Sequence, residues 1–402
     1  FQLDGGNNTA GLRGTGNPAP NPEAVQEFRV LTNGYAAEYG RYSAGVVDVV
    51  TKSGTNQLKG SVYYVFRDDK LVGDRYNRTN DTYIAAPKFE ESTKGMTLGG
   101  PIIKDKLFFF VSYEELASTR NAPAFGALGS ANNNVAITQS AISGARDVAN
   151  TTYSGLNIGT SDVPSGTELK VKDYLLKLDW NINAKHRANL RYAKTEQTEP
   201  IFPGLFATGV SLNSHWYKQE KEIETIVGQW FADWTPTFST EAKISKRDYD
   251  SVPNNNSRLP LVTLNFTGAL PAGAPSGISS GTRSLIFGTE RSRHFNVLQT
   301  ETLDGYFGAN WQLGDHEVKF GGDYAKNDVY NAFLQDTKGN YTFSCQNSSA
   351  TYTYTFGTKE LAAPQATLMK TIIEGVLSGQ LPWDLVLTGG GARAAYQAGA
   401  LQ

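Results

Sequence analysis

Tyr174-Leu-Leu-Lys-Leu-Asp-Trp-Asn-Ile182 is the stretch of sequence that decides the fold. Its apolar side chains recur at every second residue, and Lys177, Asp179 and Asn181 occupy positions between them. Because successive side chains of a strand point to opposite faces, this pattern predicts a strand with one apolar and one polar face. Leu175 is the residue that breaks the polar face. A turn at residues 183–186 leads into a second alternating run, so the two runs predict a hairpin.

The same alternation recurs along most of the chain. Runs with a period of two lie at residues 60–67, 107–113, 187–192, 225–234, 238–245, 303–311 and 318–324. Short turns join some of these runs, whereas long polar connections at residues 115–170 and 250–295 separate others. This asymmetry is typical of membrane barrels, which have short periplasmic turns and long outer loops.

The length of the runs distinguishes a membrane barrel from a soluble sheet. A tilted strand needs roughly 9–11 residues to cross a bilayer, against about 5–6 residues in soluble sheets, and residues 174–182 and 226–234 meet the longer requirement. Aromatic residues stand near the strand ends, at Trp180, Trp234, Trp311 and Tyr324. The pattern predicts a mainly β protein with a partial transmembrane antiparallel β-barrel. A soluble β-sandwich with one wet face per sheet is the alternative that alternation alone leaves open.

Composition narrows the class of protein further. Hydrophobic residues make up 39% of the 402 residues, which is too many for a disordered chain, and no run of 18 apolar residues indicates a membrane helix. A formal net charge of −2 gives no electrostatic case for binding nucleic acid. Cys345 is the single cysteine, and the four histidines lie far apart without other ligands at metal-binding spacing. We therefore expect no metal site and no cofactor.

Several separate blocks near the start of the chain resemble a known family in both sequence and order. They are Phe1-Gln-Leu-Asp-Gly-Gly-Asn-Asn8, Ala24-Val-Gln-Glu-Phe-Arg-Val30, Ala37-Glu-Tyr-Gly-Arg41, Val49-Val-Thr-Lys-Ser-Gly-Thr-Asn56 and the stretch Gly99–Glu114. Together they are similar to the second half of the plug domain, and the following barrel strands, of TonB-dependent outer-membrane receptors of the Oar-like branch. In that family a globular plug sits inside a barrel of about 22 strands.

The resemblance implies a division of the chain. Residues 1–57 would be a truncated α/β plug, and residues 58–345 would be the first part of the barrel with its long outer loops. About ten strands are indicated before the alternation stops, which is under half of a complete barrel. Because the chain opens on Phe1 in mid-motif without an export signal, we interpret it as a fragment. The plug residues Glu38, Arg41 and Lys52 are expected to meet the polar inner wall of the barrel.

The resemblance also implies a function and a location. Receptors of this family take up a scarce ligand across the cell outer membrane, driven by the periplasmic energy-coupling protein TonB. The expected partners are therefore TonB, an unidentified ligand and outer-membrane lipid. The segment that contacts TonB would lie upstream of Phe1. The outer loops, whose composition is unremarkable, give no indication of the ligand.

A second signature begins beyond Cys345. Residues 346–379 read as a junction followed by a helix, and residues 380–402 resemble the start of a patatin-like phospholipase domain. That resemblance makes Gly389, Gly390, Gly391 and Arg393 a remnant of a loop that holds an oxyanion. Whether this junction is a natural fusion or an assembly artefact is left open by the sequence.

Catalysis by this second signature is not expected. The family's nucleophile and its partner aspartate would follow the glycine loop, and the sequence contains neither in that order. Ser279 lies in an elbow-like pattern at residues 277–281, but it precedes the glycine loop and follows no predicted strand. We therefore expect no enzyme activity. The alternatives to a receptor are an incomplete patatin-like lipid acyl hydrolase fusion and a structural or adhesive surface β protein.

Overall fold

The computed structural model describes most of the chain up to residue 345 and two short segments beyond it. The described residues are 2–7, 9–10, 15–16, 21–32, 45–79, 81–85, 88–119, 123–130, 132, 134–152, 156–163, 167–267, 269–278, 281–345, 352–356 and 359–360.

The described chain is mainly strand. In chain order the strands are β1 (Gln2–Leu3), β2 (Gly6–Asn7), β3 (Thr9–Ala10), β4 (Thr15–Gly16), β5 (Val25–Leu31), β6 (Val46–Thr51), β7 (Lys59–Asp68), β8 (Arg75–Asn77), β9 (Thr82–Ile84), β10 (Glu90–Ile103), β11 (Leu107–Ser118), β12 (Ala127–Leu128), β13 (Val135–Thr138), β14 (Leu169–Asn181), β15 (His186–Ile201), β16 (Gly209–Ser211), β17 (Tyr217–Thr235), β18 (Phe238–Asn255), β19 (Leu261–Phe266), β20 (Arg283–Phe287), β21 (Phe295–Leu313), β22 (His316–Leu334), β23 (Asn340–Cys345), β24 (Tyr352–Phe356) and β25 (Lys359–Glu360). The α-helix α1 spans Gln139–Thr152, and short 3-10 helices lie at Pro22–Ala24, Asp69–Leu71, Asn213–His215 and Arg291–Arg293.

Nine of these strands form one large sheet, and each is antiparallel to the next. Its order is β7, β10, β11, β14, β15, β17, β18, β21 and β22, so neighbours in the sequence are neighbours in the sheet. The longest strands, β17, β21 and β22, have 19 residues each. The prediction of a mainly β chain with a large antiparallel sheet is confirmed.

The apolar face of the large sheet points outward, away from the N-terminal residues. Leu176 is 41% exposed, Trp180 is 50% exposed and Ile244 is 61% exposed, although all three are large apolar side chains. A soluble sandwich would bury these side chains against a second sheet. Their exposure favours the membrane barrel over the sandwich, because in a membrane this face contacts hydrocarbon.

The outer face changes character along the strands, which indicates the limits of the apolar band. Tyr174 to Ile182, the residue that directly follows β14, span about 26 Å at ~3.3 Å per residue, or about 20 Å across a membrane at a strand tilt of ~40°. Towards the long-loop end the outward positions become charged. There Lys194 Nζ lies 3.0 Å from carboxylate oxygens of both Glu196 and Glu222, and Lys246 Nζ lies 3.5 Å from Glu301. An apolar band close to the ~25 Å of known membrane barrels, bordered by charges, fits a sheet that spans a bilayer.

The N-terminal unit, which comprises the described residues from 2 to 51, contains a small sheet. Its strand order is β2-β1-β6-β5, with β1 parallel and β5 antiparallel to β6. The run Val46–Val50, which the sequence suggested as a buried strand, lies within β6, and both Val46 and Val49 are buried. The 3-10 helix Pro22–Ala24 is the helical element in the described part of this unit.

The long connections form a second folded body, the outer-loop unit. It includes α1, the pair β12-β13 and the six-stranded sheet β16-β20-β19-β23-β24-β25. Its core contains Ala127, Val135, Ile137, Ile142, Ala149, Ile158, Val210, Leu212 and Leu285. The sequence suggested only long polar connections here. Because the core collects short apolar runs from three separate connections, no single stretch carries a recognisable period.

The C-terminal expectations are only partly within the described residues. β24 and β25 fall inside the predicted junction at 346–379 and extend the sheet of the outer-loop unit. The predicted helix of that junction and the patatin-like segment 380–402 lie outside the described residues. No helix in the described ranges is long and apolar enough to cross a membrane.

Candidate functional site

The N-terminal unit contacts the polar inner face of the large sheet through the turn between β1 and β2. Asp4 has φ 46° and Gly5 has φ 67°, the left-handed conformation that a tight two-residue hairpin turn requires. Asp and Gly are residue types that adopt it at low cost. The sequence Leu-Asp-Gly-Gly therefore makes a narrow turn whose tip carries a carboxylate.

The carboxylate of Asp4 joins three parts of the molecule. It accepts hydrogen bonds from the backbone N–H of Thr51 (2.8 Å) and from its hydroxyl (2.7 Å), which fixes the end of β6. It also accepts from Arg191 Nη1 on β15 at 3.1 Å, and Lys177 Nζ on β14 lies 3.7 Å away. The side chains of Asp4, Arg191 and Lys177 are only 5%, 1% and 7% exposed. We call these four residues the Asp4 cluster.

Further contacts extend the interface along the wall. The ammonium of Lys177 donates to the carbonyl of Thr51 at 3.1 Å, and the ammonium of Lys243 on β18 donates to the carbonyl of Gly5. A Cβ placed on Gly6 would lie 2.9 Å from Cγ2 of Val227 on β17, so glycine is needed for this close approach. The turn therefore contacts β14, β15, β17 and β18.

An apolar contact explains why Leu175 interrupts the polar face of β14. Leu175 is 6% exposed and packs with Phe110 of β11 against Ala24 of the N-terminal unit. Nearby, the hydroxyl of Tyr63 lies 3.0 Å from Oδ1 of Asn21 and also within hydrogen-bond reach of the Glu114 carboxylate. The wall therefore holds the N-terminal unit by one small apolar cluster and several polar contacts.

A cavity of about 510 Å³ lies beside the Asp4 cluster, between the N-terminal unit and the wall. Charged side chains of both signs line it: Asp4, Arg29, Asp48, Lys177, Glu241, Lys243 and Lys319. This volume is within the ~300–1,000 Å³ range of small-molecule sites. In the described ranges, no three His, Cys, Asp or Glu side chains come together as metal ligands.

The residues singled out from the sequence have mixed outcomes. Lys52 Nζ lies 3.8 Å from Glu23 within the N-terminal unit, and its backbone N–H donates to the carbonyl of Ala24. Its neighbour Thr51 contacts the wall, because the Thr51 carbonyl accepts a hydrogen bond from Lys177. A role for Lys52 at the wall stays a prediction. Glu38, Arg41, Ser279, Gly389, Gly390, Gly391 and Arg393 all lie outside the described residues.

Sequence reasoning missed the Asp4 cluster. Asp4 lies in one of the recognised blocks, and Lys177 and Arg191 were both assigned to polar strand faces, but no signal paired them. Two features of the sequence are explained by this interface once the structure is known. Leu175 is apolar on a polar face, and the Asp-Gly pair is typical of a tight turn.

A second buried polar site lies in the outer-loop unit, at its junction with the strands. Nδ1 of His215 donates to the carbonyl of Gly288 at 2.8 Å. Nδ1 of His294 accepts from the backbone N–H of Lys338 at 3.1 Å, so its Nε2 carries the proton and donates to the carbonyl of Thr289. Burial, the largest cause in each case, lowers the pKa of both histidines to about 4. Both imidazoles are therefore neutral at pH 7.

Comparison with known proteins agrees with this architecture. A family model described as an outer membrane beta barrel domain matches residues 50–160 and 129–369. The TonB-dependent transporter Oar of Myxococcus xanthus is 40% identical over 94 residues, which are 23% of this chain and 9% of that transporter.

A transporter of known structure has the same fold at low sequence identity, and a receptor structure can be compared with it. The outer membrane transporter YddB from Escherichia coli superimposes with a TM-score of 0.55 and 11% identity, over 90% of this chain and 44% of that one. The siderophore receptor PirA from Pseudomonas aeruginosa gives a TM-score of 0.47 and 12% identity, over 82% of this chain and 40% of that one. The chain thus spans less than half the length of these relatives.

These matches confirm the location predicted from the sequence, the outer membrane. They cover both the large sheet and most of its long connections. The chain therefore belongs to the family of outer membrane β-barrel domains, and over 94 residues it is similar to the TonB-dependent transporter Oar.

Proposed function

We propose that the chain contributes a plug and part of the barrel wall to a transporter that takes up a ligand across the outer membrane, with energy supplied through TonB. In this proposal residues 1–57 belong to the plug and residues 58–345 to the wall and its outer loops. The observation that carries the proposal is the Asp4 cluster. It holds a separate N-terminal body against the polar face of a wall whose other face is apolar.

The composition of this interface supports a plug that can move. The contacts of the Asp4 turn with the wall are hydrogen bonds and ion pairs, and the buried apolar cluster of the interface consists of Ala24, Phe110 and Leu175. Water can replace polar partners as they separate, whereas a large apolar interface would have to expose its whole area. A force on the N-terminal unit would therefore break these contacts one after another, and water would replace each lost partner.

The wall residues of the Asp4 cluster are held in place by the large sheet. Lys177 and Arg191 lie on strands paired along their full length, and each strand is hydrogen-bonded on both sides. The plug residues of the cluster, Asp4 and Thr51, lie at the ends of short strands and would move with the plug. We assign the Asp4 cluster to holding the plug at rest, and its separation to the opening of a path for ligand.

Glu38, Arg41 and Lys52 keep their proposed place on the plug side of the same boundary. The relatives are transporters rather than enzymes. A remnant of an oxyanion loop at Gly389–Gly391 and Arg393 stays a prediction.

A disulfide that ties the plug to the wall tests the proposal. Gly6→Cys and Val227→Cys place two thiols where a Cβ on Gly6 would already touch the Val227 side chain. In cells that carry the whole transporter, we expect uptake to stop when the double variant is oxidised and to return after reduction. The controls are Val227→Cys alone and Gly6→Cys/Val227→Ala, in which the Val227 Cγ2 atom is removed and no second thiol is introduced. Uptake that continues through the oxidised double variant, or that is unchanged in cells without TonB, would contradict the proposal.

A further inference from the structure

The wall side of the Asp4 cluster has the chemistry of an anion site. Lys177 and Arg191 lie directly opposite each other in the register of β14 and β15. Both point to the inner face, and both are almost fully buried by the N-terminal unit. Two cations held side by side on a rigid sheet match the two oxygens of one carboxylate.

Asp4 fills this position as a tethered carboxylate. One oxygen faces Arg191 at 3.1 Å and the other faces Lys177 at 3.7 Å. The remaining donors, the N–H and hydroxyl of Thr51, belong to the N-terminal unit and would leave with Asp4. Any movement that withdraws this unit therefore leaves the two wall cations in place and removes the carboxylate between them at the same moment.

Removal of that carboxylate leaves two cations side by side. They repel each other, and an anion placed between them relieves the repulsion and adds charge-assisted hydrogen bonds. The adjoining cavity of about 510 Å³ has room for more than a carboxylate group, and Lys243 and Lys319 add cations to its lining.

We propose that Lys177 and Arg191 form a binding site for carboxylate-bearing solutes on the inner wall, which Asp4 occupies at rest. The inference rests on the proposed function for its role in uptake. A solute with a carboxylate takes the place of Asp4 when the plug moves, and it pairs with the wall at the level of the plug rather than at the outer loops.

Replacement of the tethered carboxylate by a free one tests the site directly. Asp4→Gly removes the carboxylate and suits the left-handed turn, because glycine adopts positive φ without strain. With the purified full chain in detergent, we expect acetate to raise the thermal midpoint of Asp4→Gly by about 2–4 °C over chloride of equal ionic strength. The wild-type chain, whose site is filled, is expected to show no such difference.

The wall cation gives the decisive control. In the double variant Asp4→Gly/Arg191→Gln the acetate response should disappear. An equal response in the double variant, or none in Asp4→Gly, would overturn the inference, since water or Asp179 on the same strand face would then satisfy the cations. If Asp4→Gly does not fold in chloride, the yield of refolded chain in acetate against chloride decides the same question.

Chemical labelling provides an independent measurement. Acylation of Lys177, followed by mass spectrometry, should be severalfold slower in acetate than in chloride for Asp4→Gly. Lys185, which is exposed in the turn after β14, should react equally in both salts. Equal labelling of Lys177 in both salts counts against the site. Equal labelling in both salts, found together with uptake that depends on TonB, contradicts this inference alone. Binding of acetate, found together with uptake that does not depend on TonB, contradicts the proposed function alone.

Discussion

Asp4 and Arg191 are 187 residues apart in the sequence, yet the carboxylate of one accepts a hydrogen bond from the guanidinium of the other at 3.1 Å. The bond joins the turn of a short hairpin to the middle of a wall strand. Both side chains are almost fully buried. A charge pair of this kind contributes little when complete, but it becomes costly when one partner is removed.

Arg191→Gln is therefore expected to weaken the attachment of the N-terminal unit. It leaves the Asp4 carboxylate buried beside Lys177 alone, and loss of one partner of a buried pair typically costs about 3–5 kcal/mol. Limited proteolysis should detect faster cleavage within residues 45–58 than in the wild type. Lys185→Gln, which removes a cation from an exposed turn, is the control and should leave the cleavage rate unchanged. Equal rates for the two variants would show that the pair does not hold the unit.

Leu175 and Leu176 offer a matched pair for the apolar contact. Leu175 is 6% exposed and contacts the N-terminal unit, whereas Leu176 is 41% exposed on the outer face. Leu175→Ala should cost about 2–5 kcal/mol because it leaves a cavity beside Ala24 and Phe110. Leu176→Ala should change the same proteolysis rate little. If Leu176→Ala loosened the N-terminal unit as much as Leu175→Ala, the assignment of the two faces would be wrong.

The outer-loop unit should lose stability in acid because of His215 and His294. Both are neutral in the folded state with a pKa of about 4, against an ordinary value of 6.5, so the unfolded state binds protons first as the pH falls. Stability is complete above pH 6.5 and decreases between pH 6.5 and 4. Each histidine accounts for about 1.4 kcal/mol per pH unit in that window.

Hydrogen exchange of peptides that cover β16 and β20 measures this effect. We expect protection to fall from pH 7 to pH 5 after correction for the intrinsic exchange rate. His215→Asn retains a donor for the Gly288 carbonyl and cannot be protonated, so it should reduce the pH dependence by about half. His316→Asn changes an exposed histidine at the start of β22 and should have no effect. A pH dependence that survives unchanged in His215→Asn would assign the effect to other groups.

Period-two alternation predicted the face of the residues in the runs that it marked, because that pattern follows directly from strand geometry. Trp180, Leu190 and Phe320 are exposed on the outer face as expected. Pairing between Asp4 and Arg191 was beyond such reasoning, since alternation gives the face of a residue and not its partner from a distant element. The core of the outer-loop unit was missed for a related reason. Val135, Val210 and Leu285 come from three connections, and each contributes too few apolar residues to form a pattern.

The two faces of β15 allow a direct test of which side meets the lipid. Leu190, 49% exposed near the centre of the apolar band, points outward, and the adjacent Asn189 lines the inner cavity. Leu190→Arg should destabilise the chain in lipid vesicles by about 2–4 kcal/mol, because a cation near the bilayer midplane has no water or partner. Asn189→Arg places the same charge one residue away, in the polar interior, and should cost less than about 1 kcal/mol. Urea titrations of folded chain in vesicles compare the two. In detergent the two variants should differ less in their free energy of unfolding, because micelles adapt to a surface charge. Equal losses of stability in vesicles would mean that the apolar face does not contact hydrocarbon.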